Sequence, residues 1–219
     1  MRKAVFLDYT GTIIQEGGEE MKAVVTRVCR NSSLHDPQAV LRVWWGFVKQ
    51  CEETYCGAHY CTEDEIVDQA LRHFTEQYGL RENLGELHAL IQAFWVNAPL
   101  FPDVAAFCAD CPLPFYVISN NGIAYVERAM ERNGLHPAGI ITADMVRAYK
   151  PHPEIFRHAL EVSGCAPQEA IHIGDSYSSD VAGARAAGIA PVLIQRTGDT
   201  SYPDVPVIRQ LSEALALLR

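Results

Sequence analysis

The stretch Ala4-Val5-Phe6-Leu7-Asp8-Tyr9-Thr10-Gly11-Thr12 decides how the rest of the chain is read. Its apolar run from Ala4 to Leu7 reads as a short interior strand, and Gly11 marks the turn after it. The strand closes on a carboxylate, Asp8. In an open α/β sheet, chemistry gathers in the crevice beyond the carboxyl ends of the strands. A carboxylate placed there can act as a nucleophile, forming an acyl phosphate, or as a ligand for a hard cation. A turn or helix N-cap aspartate would account for the fragment alone, so the rest of the chain has to choose.

Downstream of this strand, residues 19 to 97 carry almost only helical signals. Met21, Val24, Val25, Val28 and Cys29 form one apolar stripe. Asp36-Pro37 supplies an N-cap and an N1 proline for a second helix, with Val40, Leu41, Trp44, Phe47, Val48 and Cys51 on its buried side. Thr62-Glu63-Asp64-Glu65 fits a capping box for a third helix that stops at Gly79, and Leu84 to Trp95 carry a fourth. Four amphipathic helices with short connections predict a small bundle.

From Pro99 onward strands and helices alternate. Phe115–Ile118, Ile140-Ile141, Ala170–Ile173 and Pro191–Ile194 read as strands, separated by helices near 123–133, 154–162 and 181–187. Such alternation means βαβ units and a parallel sheet. The first strand has no neighbour of its own type nearby, so it must join this later sheet. The expected division is an α/β core of residues 1–15 and 99–219, with a helical insertion of residues 16–98.

A length of 219 residues allows one large domain or two modest ones, and 48% hydrophobic with 21% charged residues is ordinary for a globular protein. The net charge of −9 argues against nucleic acid or an anionic membrane as partner through bulk electrostatics. It leaves room for an anionic substrate in a local pocket of cation, lysine and backbone N–H groups. Asp8 interrupts the apolar run behind Met1-Arg2-Lys3 before a signal peptide could develop, and no segment is long enough to span a bilayer. Seven cysteines, an odd number, fit reduced thiols and a cytoplasmic location. Cys51, Cys56 and Cys61 with His59 raise zinc, although their spacing departs from paired structural sites and free Cys often packs as a small apolar residue.

Polar residues of a particular kind stand at the ends of the core strands. The first strand ends at Asp8, the second at Ser119-Asn120 and the fourth at Gly174-Asp175, with Asp180 beyond. Lys150 precedes Pro151 at the expected start of the helix after the third strand. A parallel sheet brings all four sets to one edge. Together they offer a nucleophile, a hydroxyl, a fixed cation and a carboxylate pair, which suits phosphoryl transfer. Each residue alone could be a cap or a solvated side chain. Capping does not account for their joint placement.

The ordered set Asp8-Tyr9-Thr10-Gly11-Thr12, Ile118-Ser119-Asn120, Lys150-Pro151 and Gly174-Asp175 with Asp180 resembles the four motifs of the haloacid dehalogenase superfamily, across the whole chain. The resemblance implies a Rossmann-like core with a C1-type helical cap. It implies that Asp8 is the nucleophile that becomes an aspartyl phosphate, in a catalytic set with Thr10, Ser119 and Lys150. Thr12, Ser119, Asn120 and Lys150 would bind the phosphate. Asp8, Asp175 and the carbonyl of Thr10 would hold Mg²⁺, while Asp180 would bind it directly or through water, or orient Lys150. Oxygen ligands with retained waters are what Mg²⁺ prefers.

One position departs from the superfamily's phosphatases, which carry aspartate two residues after the nucleophile. Here that residue is Thr10, whose hydroxyl is a poor general acid or base near neutral pH. The expected activity is Mg²⁺-dependent hydrolysis of a small phosphorylated metabolite. Two alternatives stand beside it: a carbon–phosphorus hydrolase resembling phosphonoacetaldehyde hydrolase, with Lys49 or Lys22 as imine-forming lysine, and a weak or inactive phosphate- or partner-binding homologue. A dehalogenase fits poorly, because its members have tyrosine at the Thr10 position and lack Gly174-Asp175. Glu16, Glu19 and Glu20 are candidates for the missing acid or base, but read first as a solvated hinge and an acidic first turn. Trp44, Trp45, Tyr55, His59 and Tyr60 are candidates to line the cap's inner surface, or else bundle core.

Overall fold

Strand β1 (Ala4–Leu7) is buried along its whole length, as a strand covered on both faces must be. In the computed structural model, which describes residues 1–218, it lies inside a six-stranded sheet with β2 (Phe115–Ser119), β3 (Gly139–Thr142), β4 (Ala170–Gly174), β5 (Ala190–Ile194) and β6 (Val207–Ile208). The spatial order is β3-β2-β1-β4-β5-β6 and every pair is parallel. The chain is thus a mixed α/β protein with a Rossmann-like sheet, as the alternation from Pro99 onward predicts. Residue 219, the end of the expected core segment, lies outside the described residues.

Between β1 and the rest of the sheet run α1 (Glu19–Asn31), α2 (Pro37–Thr54), α3 (Glu63–Tyr78) and α4 (Leu84–Asn97). Their ends follow local chemistry. The Asp36 carboxylate caps α2 through the N–H groups of Gln38 and Ala39, Thr62 and Glu65 form a capping box on α3, and Gly79 ends α3 in the left-handed region at φ 65°.

These helices are fixed to the sheet on two sides. On one, a single buried apolar cluster runs from Val5 and Leu7 through Tyr9, Ile13 and Ile14 to Phe94 and Trp95 of α4. The Tyr9 hydroxyl donates to the Trp95 carbonyl at 2.6 Å, and Trp95 packs on Tyr125 with ring centroids 4.8 Å apart. Each large apolar side chain so buried contributes roughly 1.5–3 kcal/mol. On the other side, the connection between α2 and α3 pairs with residues 147–149. Cys56 bridges Ala148 antiparallel, Gly57 N–H donates to the Arg147 carbonyl at 2.8 Å, and the Tyr149 hydroxyl donates to the Cys61 carbonyl at 2.8 Å.

Several elements differ from expectation. A short helix, α7 (Ala143–Val146), starts directly after β3, so Lys150 does not open the helix that follows that strand. It stands in the loop between α7 and α8 (Pro153–Ser163). The four-residue α7 is too short to leave a periodic signal. The seven-residue α5 (Val104–Asp110) and β6 were likewise unforeseen, β6 being two residues defined only by pairing with β5. Helix α6 (Ile123–Arg132) forms as read, and the segment near 181–187 begins with a π-helical turn at Tyr177–Val181 before α9 (Ala182–Ala186). No helix among the described residues is long and apolar enough to cross a membrane.

Candidate active site

Parallel register sets the geometry. Leu7 stands opposite Val117 and Ile173, so the chain leaves β1, β2 and β4 at the same edge. Asp8 continues β1, its N–H donating to the Ile173 carbonyl at 2.9 Å. A cavity of about 220 Å³ opens beyond this edge. Of the residues expected to act, Asp8, Thr10, Asn120, Lys150, Asp175 and Asp180 line it. Thr12 and Ser119 do not reach its wall; both are buried behind it.

Lys150 is 3% exposed and is the positive centre of the site. Its Nζ donates to Asp8 Oδ1 in a very short contact and to Asp180 Oδ1 at 2.7 Å. Burial alone would push the ammonium down, but Asp180 and Asp8 outweigh it and hold it above the ordinary lysine value. Burial also favours the neutral form of Asp180. Lys150 and His172 prevail there and hold it well below the usual carboxylate range. Asp180 accepts further hydrogen bonds from His172 Nε2 at 2.9 Å and Ser176 N–H at 3.0 Å. With its oxygens so engaged, Asp180 is placed to orient Lys150.

Asp8 and Asp175 differ from Asp180. Burial raises the Asp8 carboxyl despite Lys150, and its Oδ2 has no hydrogen-bond partner. Asp175 is raised strongly, first by burial and then by repulsion from Asp8, Asp180 and Glu16. Donor oxygens of Asp8, Asp175 and Asp180 all lie within 4.8 Å of one another. Gly11 makes room for this crowd. At φ +90°, a Cβ there would stand 2.3 Å from Asp175 Oδ2. An all-oxygen set with one unpartnered buried atom and mutual repulsion fits a hard divalent cation.

On the cavity wall beside Asn120, Asn121 is a hub that sequence reading passed over. Its Oδ1 accepts from Thr10 Oγ1 at 2.9 Å and from Ser119 Oγ at 3.1 Å, while its Nδ2 donates to Glu63 Oε1 at 2.5 Å. Gly122 N–H donates to the other Glu63 oxygen at 3.0 Å. Asn120 instead engages Lys150, accepting from its N–H at 2.7 Å.

From the helical insertion, Trp45, Val48, Lys49, Glu52 and Glu63 face the cavity, and Glu16 stands at its exposed rim. Glu52 is pushed up to about 7, first by burial and then by the negative charge of Asp8 and Asp180, against Asn120 and Lys150. Of the aromatic candidates only Trp45 lines the cavity. Trp44 packs in the bundle against Phe74, and Tyr60 stacks on Tyr149. Lys49 reaches the cavity and Lys22, exposed on α1, does not. Among the described residues, Cys51, Cys56, Cys61 and His59 do not converge as a metal-binding group, and Cys51 is packed in an apolar cluster.

Known proteins match this chain both in sequence and in fold. A family model described as haloacid dehalogenase-like hydrolase covers residues 2–188. The chain belongs to the haloacid dehalogenase-like hydrolases. Curated relatives within and around this family include haloacid dehalogenase-like hydrolase domain-containing protein 3 of Danio rerio, 34% identical over 81% of this chain and 70% of that protein. A glyceraldehyde 3-phosphate phosphatase of Methanothermobacter thermautotrophicus is 26% identical over 89% of this chain and 86% of its own length. A phosphoserine phosphatase of Thermus thermophilus is 35% identical, but the match spans 45% of this chain and 41% of that enzyme. Among solved structures, L-2-haloacid dehalogenase from Xanthobacter autotrophicus superposes with TM-score 0.82 at 21% identity, covering 100% of this chain and 98% of that one. The HAD-hydrolase YfnB from Bacillus subtilis, bound to magnesium, gives 0.79 at 17% identity, with 99% and 98% covered. At these identities the structural likeness speaks for the fold alone. Membership in the family, with phosphatases among the sequence relatives, makes the protein a hydrolase.

Proposed function

We propose that this hydrolase cleaves small phosphomonoesters through a phosphorylated Asp8, with Mg²⁺ bound at the acidic cluster. The observation that carries the reading is the state of Asp8 at the cavity floor. One oxygen is held by Lys150 and the other, Oδ2, is buried without a partner. A carboxylate so held has its orientation fixed and an atom free to bond.

Asp8 and Asp175, with the Thr10 carbonyl, would hold the metal, and Asp180 would support it while positioning Lys150. When bound, the cation neutralises phosphate charge so that an anionic nucleophile can approach an anionic ester. The chain's own residues do the rest. Lys150 offers an ammonium to the phosphoryl oxygens, and the cavity-lining Asn120 offers a side-chain amide. The insertion brings Trp45 and Val48 to the cavity, where they restrict water and contact the substrate. Phosphatase relatives, the Gly174-Asp175 pair and the all-oxygen cluster support phosphoester over carbon–halogen cleavage.

The test is phosphate release from a panel of phosphorylated metabolites and from 4-nitrophenyl phosphate, with and without Mg²⁺. It is paired with rapid-quench detection of phosphate on Asp8. Release that requires Mg²⁺ and disappears in Asp8→Asn is expected. No release from any ester, or full activity in Asp8→Asn, would overturn the reading.

A further inference from the structure

Phosphoester cleavage through Asp8 requires a group that gives a proton to the departing oxygen and later takes one from water. Thr10 cannot serve, because its hydroxyl is committed to Asn121 Oδ1 at 2.9 Å. Outside the acidic cluster and Lys150, the cavity is lined by the ionisable side chains of Glu16, Lys49, Glu52 and Glu63. Glu63 is engaged at both oxygens, by Asn121 Nδ2 and Gly122 N–H. Lys49 is half exposed and lies 3.9 Å from Glu53. Glu16 is also raised, by burial of its carboxyl and then by the charge of Asp8, but it stands at the rim on the Asp175 side of the cavity, where its charge bears on the acidic cluster.

We infer that Glu52, carried by α2 of the insertion, is the general acid and base of this site. The inference rests on the phosphatase reading and deepens it. Glu52 stands on the cavity wall across from the sheet edge, next to Val48 and Lys49 and facing Asn120. The ester's leaving group must therefore point toward α2 when its phosphoryl group lies on Asp8 and Lys150. The charged groups bearing on Glu52 are Lys150, Asp8 and Asp180 from the sheet side and Glu63 from α3. Burial and this mainly negative surround hold the carboxyl near neutrality, the range in which one group can both donate and accept a proton.

The steps balance. An Asp8 carboxylate oxygen forms a bond to phosphorus while the bond from phosphorus to the ester oxygen breaks, and protonated Glu52 gives its proton to that oxygen, releasing the alcohol. Ionised Glu52 then takes a proton from water as the water oxygen bonds to phosphorus. The bond from phosphorus to Asp8 breaks, inorganic phosphate leaves, and Glu52 is protonated again.

Glu52→Gln tests this with a series of substituted phenyl phosphates, from 4-nitrophenyl phosphate to esters with poorer leaving groups. The variant should lose about 10²–10⁴-fold in turnover, most for the poorest leaving groups. It should accumulate phosphorylated Asp8 in rapid-quench experiments and lose the pH limb near neutrality. Glu52→Asp, which keeps a carboxyl group, should retain that limb at a reduced rate and provides the same readout should the amide variant fold poorly. Wild-type turnover and leaving-group dependence in Glu52→Gln would overturn the assignment while leaving the phosphatase reading intact. A uniform loss across the series without phosphoenzyme would also overturn it. Absence of phosphate release from the wild-type protein would remove both.

Discussion

Replacing Asp175 by asparagine removes a charge from a crowded cluster while keeping the side chain's shape. The donor oxygens of Asp8, Asp175 and Asp180 lie within 4.8 Å of one another, and at an effective dielectric of ~20 each such charge pair repels by about 3.5 kcal/mol. Within the cluster Asp175 faces two carboxylates, Asp8 and Asp180, with Glu16 a weaker third, and one ammonium, Lys150, offsets about one of them. The net penalty is then close to a single pair, and partial solvation reduces it to about 2 kcal/mol. No hydrogen bond to the Asp175 side chain is lost, whereas Asp180 has several. Asp175→Asn should therefore raise the melting temperature of the metal-free protein by about 4–8 °C. The effect depends on pH with a definite sign. The folded state holds the Asp175 proton above its ordinary value, so the group's contribution is fully favourable in acid and is lost as pH rises through the folded pKa. The gap between variant and wild type should accordingly be small in acid and widen toward neutrality. Mg²⁺ at 100 times its dissociation constant should stabilise the wild type by about 2.7 kcal/mol and the variant far less. Thermal melts in chelator and in Mg²⁺, at several pH values, measure all of this. A variant less stable than wild type in chelator, or one that keeps the full Mg²⁺ response, would refute the argument.

Lys150→Met leaves Asp8 and Asp180 buried without their shared counter-charge, which should cost about 3–5 kcal/mol and all phosphatase activity. Chemical denaturation checks the first, and a midpoint like wild type would contradict it. Asn121→Ala strips partners from Thr10, Ser119 and Glu63, at about 1–3 kcal/mol for each buried group left unsatisfied. Hydrogen exchange should show lost protection at the start of α3 as well as a lower melting temperature. Gly11→Ala forces a Cβ into a φ of +90° and onto Asp175, so it should weaken the Mg²⁺-dependent thermal shift. An unchanged shift would mean that Asp175 has room to move.

The sheet and the insertion were legible because hydrophobic runs, caps and glycine stops are local. Ala4–Leu7, the Asp36 and Thr62 caps and the stop at Gly79 each declare themselves within a few residues. The polar ends of the strands were legible because a parallel sheet delivers them to one edge. What stayed hidden depends on side-chain direction across long separations. Glu63 reads as part of a helix N-terminus, and only its contact with Asn121, 58 residues away, shows its second task. Glu52 looks like an ordinary polar position on α2. Trp44 and Trp45 are adjacent in sequence yet face the bundle and the cavity respectively. His172 had a faint signal, an imidazole inside the otherwise apolar run of β4, eight residues before the carboxylate it supports.

The pairing of Cys56, Gly57 and Cys61 with residues 147–149 links two parts of the molecule that sequence keeps far apart. Lys150 is the next residue along that same loop. Widening the cavity on this side must either sever the clasp, giving up three hydrogen bonds of about 0.5–1.5 kcal/mol each, or pull the loop outward. In the second case the loop acts as a lever, and the ammonium is drawn off Asp8 as the mouth opens. The hold of Lys150 on Asp8 is in that case tied to the docking of residues 147–149 on the connection of residues 56–61.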